Sequence, residues 1–201
     1  MENNPAQAVI FLERALGEDP ANTLTSLYLG IVYEQLGRMD DAIAVYRRIL
    51  PAAGNLSANV ANNLGNVYFR RGDLFEAERF FSQAVAFDAN KAAAYLGRAN
   101  TQIMAGNLLN AIADYEQYLI LAPNSSQRSN ITQLINIIRS EIAAEEMRQI
   151  VAAEQERRLA EERQRLLDAV SASLQSAAEA GQTISVGADG IEGRDWDIEL
   201  E

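Results

Sequence analysis

The sequence predicts an all-α fold: a superhelix of about three and a half helical hairpins, followed by a long C-terminal helix and a flexible acidic tail. Three segments of the 201-residue chain resemble one another at offsets of 35 and 34 residues, namely 26–50, 61–85 and 95–123. In each segment, two stretches with helical apolar spacing flank a turn glycine, which is Gly37, Gly72 or Gly106. Each segment is therefore predicted to form a hairpin, and hairpins of this kind bury their apolar faces by stacking.

The domain boundaries follow from the repeats. Residues 1–142 are predicted to contain a partial repeat at 6–20, full repeats at 23–55, 58–91 and 92–125, and a capping helix at 126–142. The cap carries apolar residues on one face, Ile131, Leu134, Ile135, Ile138 and Ile142. Residues 143–180 are predicted to form an extended charged helix, and 181–201 an acidic flexible tail. The partial repeat favours a start trimmed from a longer protein over a native start on a lone helix.

Small residues recur where the two helices of a hairpin must touch. Gly30, Gly65 and Ala99 each lie seven residues before the turn glycine, and Ala42, Ala77 and Ala111 each lie five after it. Small side chains at such a crossing let the helix axes approach closely. Aromatic residues of the second helices, Tyr46, Phe81 and Tyr115, are predicted to fill the complementary space.

The combination L-G-x-x-Y, then Gly, then A-x-x-x-[FY], resembles the tetratricopeptide repeat (TPR). The match is strong in the repeats beginning near Thr23 and Asn59 and weaker in the third, where Arg98 and Gln102 replace the expected Leu and Tyr. The resemblance implies a superhelix whose first helices line a concave groove. It also implies a non-catalytic scaffold or adaptor that binds a segment of another protein in that groove.

The register of the first helices predicts which side chains project into the groove. These partner-binding candidates are Leu27, Ile31, Glu34, Asn59, Asn62, Asn66, Arg70, Leu96, Asn100 and Ile103. Asn66 and Asn100 occupy equivalent positions one repeat apart, and an amide offers both a donor and an acceptor to an extended backbone. An asparagine ladder is therefore one interpretation of this run, and ordinary solvated helix residues are the other.

Chaperone-binding members of the resembled family hold a terminal carboxylate in a basic clamp. The matching positions here carry Leu27, Ile31, Asn63, Ala93 and Gly97. Only the asparagine suits that ligand, so we expect a mixed groove instead, apolar near Leu27 and Ile31 and polar around Asn62, Asn66 and Arg70.

The long charged helix leaves three interpretations open: a solvated helix, a coiled-coil homodimer, or a helix that docks on a partner. Charges such as Glu154 and Arg158 are spaced to pair along it, and Leu166, Leu167, Val170 and Leu174 follow. Fewer than three consecutive heptads qualify as a coiled-coil seam. The alternative function is thus a structural oligomerisation module, with the repeats as its head.

The acidic tail contains a second candidate motif. Trp196, Ile198 and Leu200 alternate with acidic residues, a period suited to adding a strand to a partner's sheet edge. A solvated tail with an incidental tryptophan is the other interpretation.

The amino-acid composition argues against several classes of function. Cysteine and histidine are both absent, which removes thiolate nucleophiles, the usual metal ligands and the common general base at neutral pH. We therefore expect no catalytic residues, metal or cofactor. The net charge of −11 is unsuited to nucleic acid. We expect no signal peptide and no membrane insertion. The missing cysteine fits the bacterial cytoplasm or, if an upstream export segment was removed, the cell envelope (periplasm).

Overall fold

The computed structural model describes residues 4–188, which form eight α-helices, two 3₁₀ turns and no β-strand. The all-α prediction is confirmed. The tail motif of Trp196, Ile198 and Leu200 lies outside the described residues. The helices are α1 (Pro5–Glu18), α2 (Thr23–Gln35), α3 (Met39–Ile49), α4 (Ser57–Arg71), α5 (Leu74–Phe87), α6 (Ala92–Met104), α7 (Leu108–Leu121) and α8 (Arg128–Ala188), and the 3₁₀ turns are Leu50–Ala52 and Gly54–Leu56.

Local sequence signals explain where these helices begin and end. The backbone N–H of Thr25 donates to Oδ1 of Asn22 at 2.9 Å, which caps the start of α2. The three predicted turn glycines have φ angles of 73°, 80° and 80°, in the left-handed region that glycine reaches without steric cost. The tight turns therefore fold α2 back on α3, α4 on α5, and α6 on α7.

Glycine lets the two helices of a hairpin pack closely, as the sequence predicts. A Cβ atom at Gly30 would lie 2.2 Å from the Tyr46 ring, and one at Gly65 would lie 2.6 Å from the Phe81 ring. Phe81 is also covered by the next repeat, because a Cβ at Gly97 would lie 2.3 Å from it. In the third hairpin Ala99 is fully buried.

The hydrophobic core runs along the stack rather than around one centre. One cluster of buried side chains extends from Val9 in α1 through the first hairpin to Phe80 and Phe81 in α5. A second, of Ala61, Ala84 and Ala94, joins the second hairpin to the third. The cap then covers the last repeat with Ile131, Ile135 and Ile138, which are all buried.

The chain divides into two compact units between Ser140 and Glu141. The first contains α1 to α7 and the start of α8, and the second contains the rest of that helix. The helix continues to Ala188, past Gly181, where the sequence predicts the tail to begin, because each glycine weakens a helix by only about 1 kcal/mol. Among residues 4–188, no helix has the length and apolarity needed to cross a membrane.

Candidate functional site

An open cleft of about 280 Å³ lies between α6 and the beginning of α8. Leu96 and Asn100 of α6, both predicted groove residues, form one wall. The other residues that line it are Tyr115, Gln127, Asn130, Ile131 and Leu134. The cleft therefore combines three aliphatic side chains with the amides of three others.

A buried tyrosine fixes the orientation of one of these amides. The hydroxyl of Tyr115 donates to Oδ1 of Asn100 at 2.7 Å. Burial of Tyr115 raises the pKa of its phenol, so the hydroxyl stays a donor at neutral pH. With its oxygen engaged, Asn100 retains its NH₂ group to donate to an acceptor in the cleft.

Asn66, the equivalent of Asn100 in the second repeat, is not held in this way. The ring facing it in sequence register is Phe81, which has no hydroxyl to donate. The half-buried Asn66 amide makes no hydrogen bond within residues 4–188. The two predicted ladder positions thus differ. Tyr115 orients the amide of Asn100, whereas neither the oxygen nor the NH₂ group of Asn66 is hydrogen-bonded within the described residues.

Glu34 and Arg70 lie together, as two of the predicted groove residues. A guanidinium nitrogen of Arg70 is 3.8 Å from a carboxylate oxygen of Glu34, whose other oxygen accepts from the Tyr46 hydroxyl at 2.6 Å. Burial raises the pKa of Glu34, although the hydrogen bond from Tyr46 and the charge of Arg70 both act to lower it. Arg70 and Glu34 therefore form a pair of opposite charges at this place.

The remaining predicted polar residues have mixed placements. Oδ1 of Asn59 accepts a short hydrogen bond from the Lys91 ammonium. Asn62 is buried, and its side-chain oxygen has no hydrogen-bond partner in the described part of the chain. Asn59 is therefore partly engaged, and Asn62 offers almost no surface to a ligand.

The predicted apolar groove residues also differ from one another in how far their side chains are exposed. Leu27 is 6% exposed and belongs to the core cluster, because it lies under the neighbouring helices rather than on the groove surface. Ile31 packs against that cluster and is half-buried, and Ile103 is also half-buried. Leu27 therefore acts in packing, whereas the other two keep some accessible surface.

The α8 wall of the cleft is not among the predicted site residues, because residues 126–142 are predicted only as a cap. Asn130 and Leu134 nevertheless lie 34 residues after Leu96 and Asn100, respectively. Extending the repeat offset once more would have placed both residues in the groove register. The cap therefore also matches the register of a further first helix, and Asn130 and Leu134 form part of the cleft wall.

Two of the clamp-equivalent positions lie against aromatic side chains of the second helices. Asn63 donates from Nδ2 to the Tyr46 hydroxyl at 3.4 Å, so its amide is engaged inside the stack. Gly97 has no room for any side chain beside Phe81, since even a Cβ would overlap the ring. In the described part of the chain, no group of three acidic residues is arranged to hold a metal ion.

The repeats match known family models. Two models, both described as tetratricopeptide repeat, match residues 19–90 and 62–126. Together they span residues 19–126, which is more than half of the chain. The comparison with curated proteins found no match.

Solved structures share the same fold. The first TPR of Spaghetti (RPAP3), bound to the HSP90 peptide SRMEEVD, is 27% identical, with a TM-score of 0.55 over 60% of this chain and 93% of that one. The first TPR domain of human RPAP3 is also 27% identical, with a TM-score of 0.55 over 63% and 97% of the two chains. A crystal structure of MamA is 24% identical, with a TM-score of 0.60 over 67% and 77%. The MamA likeness concerns the fold alone.

Proposed function

The chain belongs to the tetratricopeptide repeat family, and from this premise we propose that it is a non-catalytic adaptor that binds a segment of another protein in its concave groove. Proteins of this family and the solved neighbours are interaction modules without catalytic activity. A bound peptide would run along the first helices, from the half-buried Ile31 to the cleft between α6 and α8.

The α6–α8 cleft is the observation that carries this proposal. Its volume of about 280 Å³ is large enough for one apolar side chain and its neighbouring backbone, and Leu96, Ile131 and Leu134 supply an apolar lining. The amide of Asn100 is held by Tyr115 with its donors unused. A donor of this kind pairs with a backbone carbonyl, which every peptide has, so affinity would not depend on one sequence.

The partner segment differs in chemistry from the peptide of the similar RPAP3 domain. The peptide in that structure, SRMEEVD, is acidic and ends in aspartate. Here the groove charge at Arg70 is paired with Glu34, and Gly97 leaves no space for a basic clamp residue. We therefore infer an internal, largely uncharged segment with one apolar anchor as the ligand class.

A selection from random internal peptides displayed on phage tests this proposal with the full chain as bait. We expect the selected peptides to share an apolar residue and no terminal carboxylate. The double variant Asn66→Ala/Asn100→Ala should weaken their binding by about thirtyfold, since each lost hydrogen bond contributes about 1 kcal/mol. Calorimetry with synthetic peptides measures the change.

Asn110→Ala is the matched control, because Asn110 is an exposed α7 asparagine that makes no hydrogen bond within the described residues. It should leave the affinity unchanged. Leu134→Asp places a charge in the cleft and should abolish binding of the anchored peptides. Peptides that bind the Asn66/Asn100 double variant as tightly as the original protein would contradict the ladder, and indifference to Leu134→Asp would contradict the cleft.

A further inference from the structure

The helix of the second unit carries an apolar stripe with no partner in the described part of the chain. Leu159 is 66% exposed and Leu166 63% exposed, and Leu167 and Val170 are also more than half exposed. These residues share one helix face with three alanines, because positions three, four and seven residues apart lie on one side of a helix. The alanines are Ala152, Ala153 and Ala160.

Two opposite charges interrupt this stripe, Glu156 and Arg163. The residues three and four positions before and after each of them are all alanine or leucine, so neither has an ionic neighbour on its own helix. Neither forms an ion pair within residues 4–188. Charges off the stripe do pair within the helix, as Arg158 does with Glu154 at 3.2 Å and Arg157 with Glu161 at 3.6 Å.

The surrounding segment is a palindrome of opposite charges. Residues 154–165 read EQERRLAEERQR. Read backwards, the segment has arginine wherever the forward reading has glutamate, and glutamate wherever it has arginine. The two glutamines exchange with each other, and the midpoint lies between Leu159 and Ala160. Such a segment is complementary in charge to a second copy of itself only when the two run in opposite directions.

We propose that the apolar stripe binds the same stripe of a second copy of this chain, in an antiparallel helix pair with its two-fold axis near Leu159 and Ala160. In this register Glu156 of each copy lies opposite Arg163 of the other. The two charges that have no ionic neighbour on their own helix therefore neutralise each other across the pair. The symmetric contact is isologous and closes at two copies.

Side-chain volumes agree with the same register. Ala152 lies opposite Leu167 of the second copy, and Ala153 lies opposite its Leu166. A small residue facing a large one lets the two helices interdigitate, which is how facing positions fill space. The overlap from Gln149 to Val170 is about 33 Å long at 1.5 Å per residue.

A parallel pair in register is disfavoured by the same residues. Glu156 would face Glu156, and Arg163 would face Arg163, at the centre of the contact. Like charges placed opposite each other across an interface cost free energy and suppress that arrangement. The leucines alone would suit either direction, so the two stripe charges select the antiparallel one.

Charge reversal in the full chain tests the pairing by sedimentation equilibrium. We expect the unaltered protein to dimerise, and we expect Glu156→Arg or Arg163→Glu to raise the dimer dissociation constant at least about tenfold. The double variant Glu156→Arg/Arg163→Glu should restore it to within about threefold. Glu161→Arg is the matched control, because Glu161 lies five residues from Glu156, on the opposite side of the helix.

Cysteine crosslinking tests the direction, since the chain contains no cysteine of its own. Ala160→Cys should form a disulfide with its own copy near the two-fold axis. Ala152→Cys and Leu167→Cys should crosslink efficiently only when the two variants are mixed. Self-crosslinking of Ala152→Cys would mean a parallel pair, and a monomer in sedimentation would mean that no second copy binds. Either result overturns the proposal.

Discussion

The second and third hairpins have the same backbone arrangement, but different interactions hold the two helices of each hairpin together. At three equivalent positions the second hairpin has Leu64, Tyr68 and Phe80, whereas the third has Arg98, Gln102 and Asp114. In the second, the Tyr68 and Phe80 rings stack with centroids 5.4 Å apart, and the guanidinium of Arg79 lies 4.0 Å from the centroid of the Phe80 ring. Apolar contact and a cation–π interaction therefore hold this hairpin together.

In the third hairpin an ion pair occupies the same place. Arg98 donates two hydrogen bonds to the Asp114 carboxylate, each 2.7 Å long, and a third at 3.2 Å to the Ser82 hydroxyl. The bonds to Asp114 raise the pKa of Arg98. Gln102 donates to Glu78 of α5 at 3.2 Å. The polar residues thus find partners across the repeat boundary, and the repeat keeps its geometry while losing its usual apolar signature.

Asp114→Ala should break this comparison most strongly. It removes the partner of Arg98, whose side chain is only 20% exposed and cannot recover full hydration. Removing one partner of a buried pair costs about 3 kcal/mol or more of unfolding free energy. Asp40→Ala, which removes an exposed partner of Arg71, should cost less than about 1 kcal/mol. Equal losses in urea unfolding would mean that the Arg98 pair is no stronger than a surface pair.

Gly65→Ala should have the next largest effect. Its new Cβ would lie 2.6 Å from the Phe81 ring, which Gly97 encloses on another side, so the ring has no free direction in which to move. Overpacking of this kind costs about 1–3 kcal/mol. The control is Gly17→Ala in α1, where a Cβ meets nothing within 4 Å and should be neutral or stabilising. A melting temperature of Gly65→Ala equal to that of the original protein would contradict the close approach of the Phe81 ring to Gly65.

Replacing the ion pair by the apolar pair of the first hairpin sharpens the comparison. The equivalents of Arg98 and Asp114 there are Leu29 and Val45. We expect Arg98→Leu/Asp114→Val to lie within about 1 kcal/mol of the original protein in urea unfolding, because no unpaired charge remains buried. A loss as large as that of Asp114→Ala would mean that the bonds to Ser82 and across the repeat boundary carry the stability.

The hairpins were predictable because their signals are local and repeated. Gly37 and Gly72 mark the turns, and Gly30 and Gly65 mark the crossings, whatever lies around them. Arg98 was not interpretable from its own repeat, where it replaces a leucine. Its partner Asp114 replaces an apolar residue at the matching position of the second helix, and only the fold brings the two substitutions together.

The candidate site was predictable only in part for a related reason. Leu96 and Asn100, which the register predicts to face a groove, line a cleft in the structure, yet the register could not show that Leu27 is covered by its neighbours or that Tyr115 holds Asn100. Burial and hydrogen bonding depend on what packs against a helix, which helix periodicity alone does not specify. Leu27 and Asn62 are therefore predicted to contact a partner from their helix register, but both side chains are buried in the structure.

The smallest expected effect concerns the hydrogen bond from Tyr46 to Glu34. The second hairpin has no equivalent bond, because Phe81 replaces the tyrosine. Burial raises the pKa of Glu34 above its usual 4.5, so the folded chain binds this proton more tightly than the unfolded chain does. Its contribution to stability is therefore complete below pH 4.5 and is lost as the pH rises through the folded pKa. Because Glu34→Gln cannot titrate, the original protein should lose stability relative to this variant between pH 4 and pH 7, as measured by urea unfolding.

Tyr46→Phe turns this measurement into a test of the hydroxyl itself. The bond from Tyr46 stabilises the charged form of Glu34 and so restrains the rise in its pKa. Without that bond the pKa of Glu34 should rise further, and the fall in stability between pH 4 and pH 7 should become steeper. Combining Tyr46→Phe with Glu34→Gln should remove the added pH dependence, because the titrating group is gone. An unchanged slope in Tyr46→Phe would mean that burial and Arg70 alone set the protonation of Glu34, and that the first hairpin could carry phenylalanine as the second does.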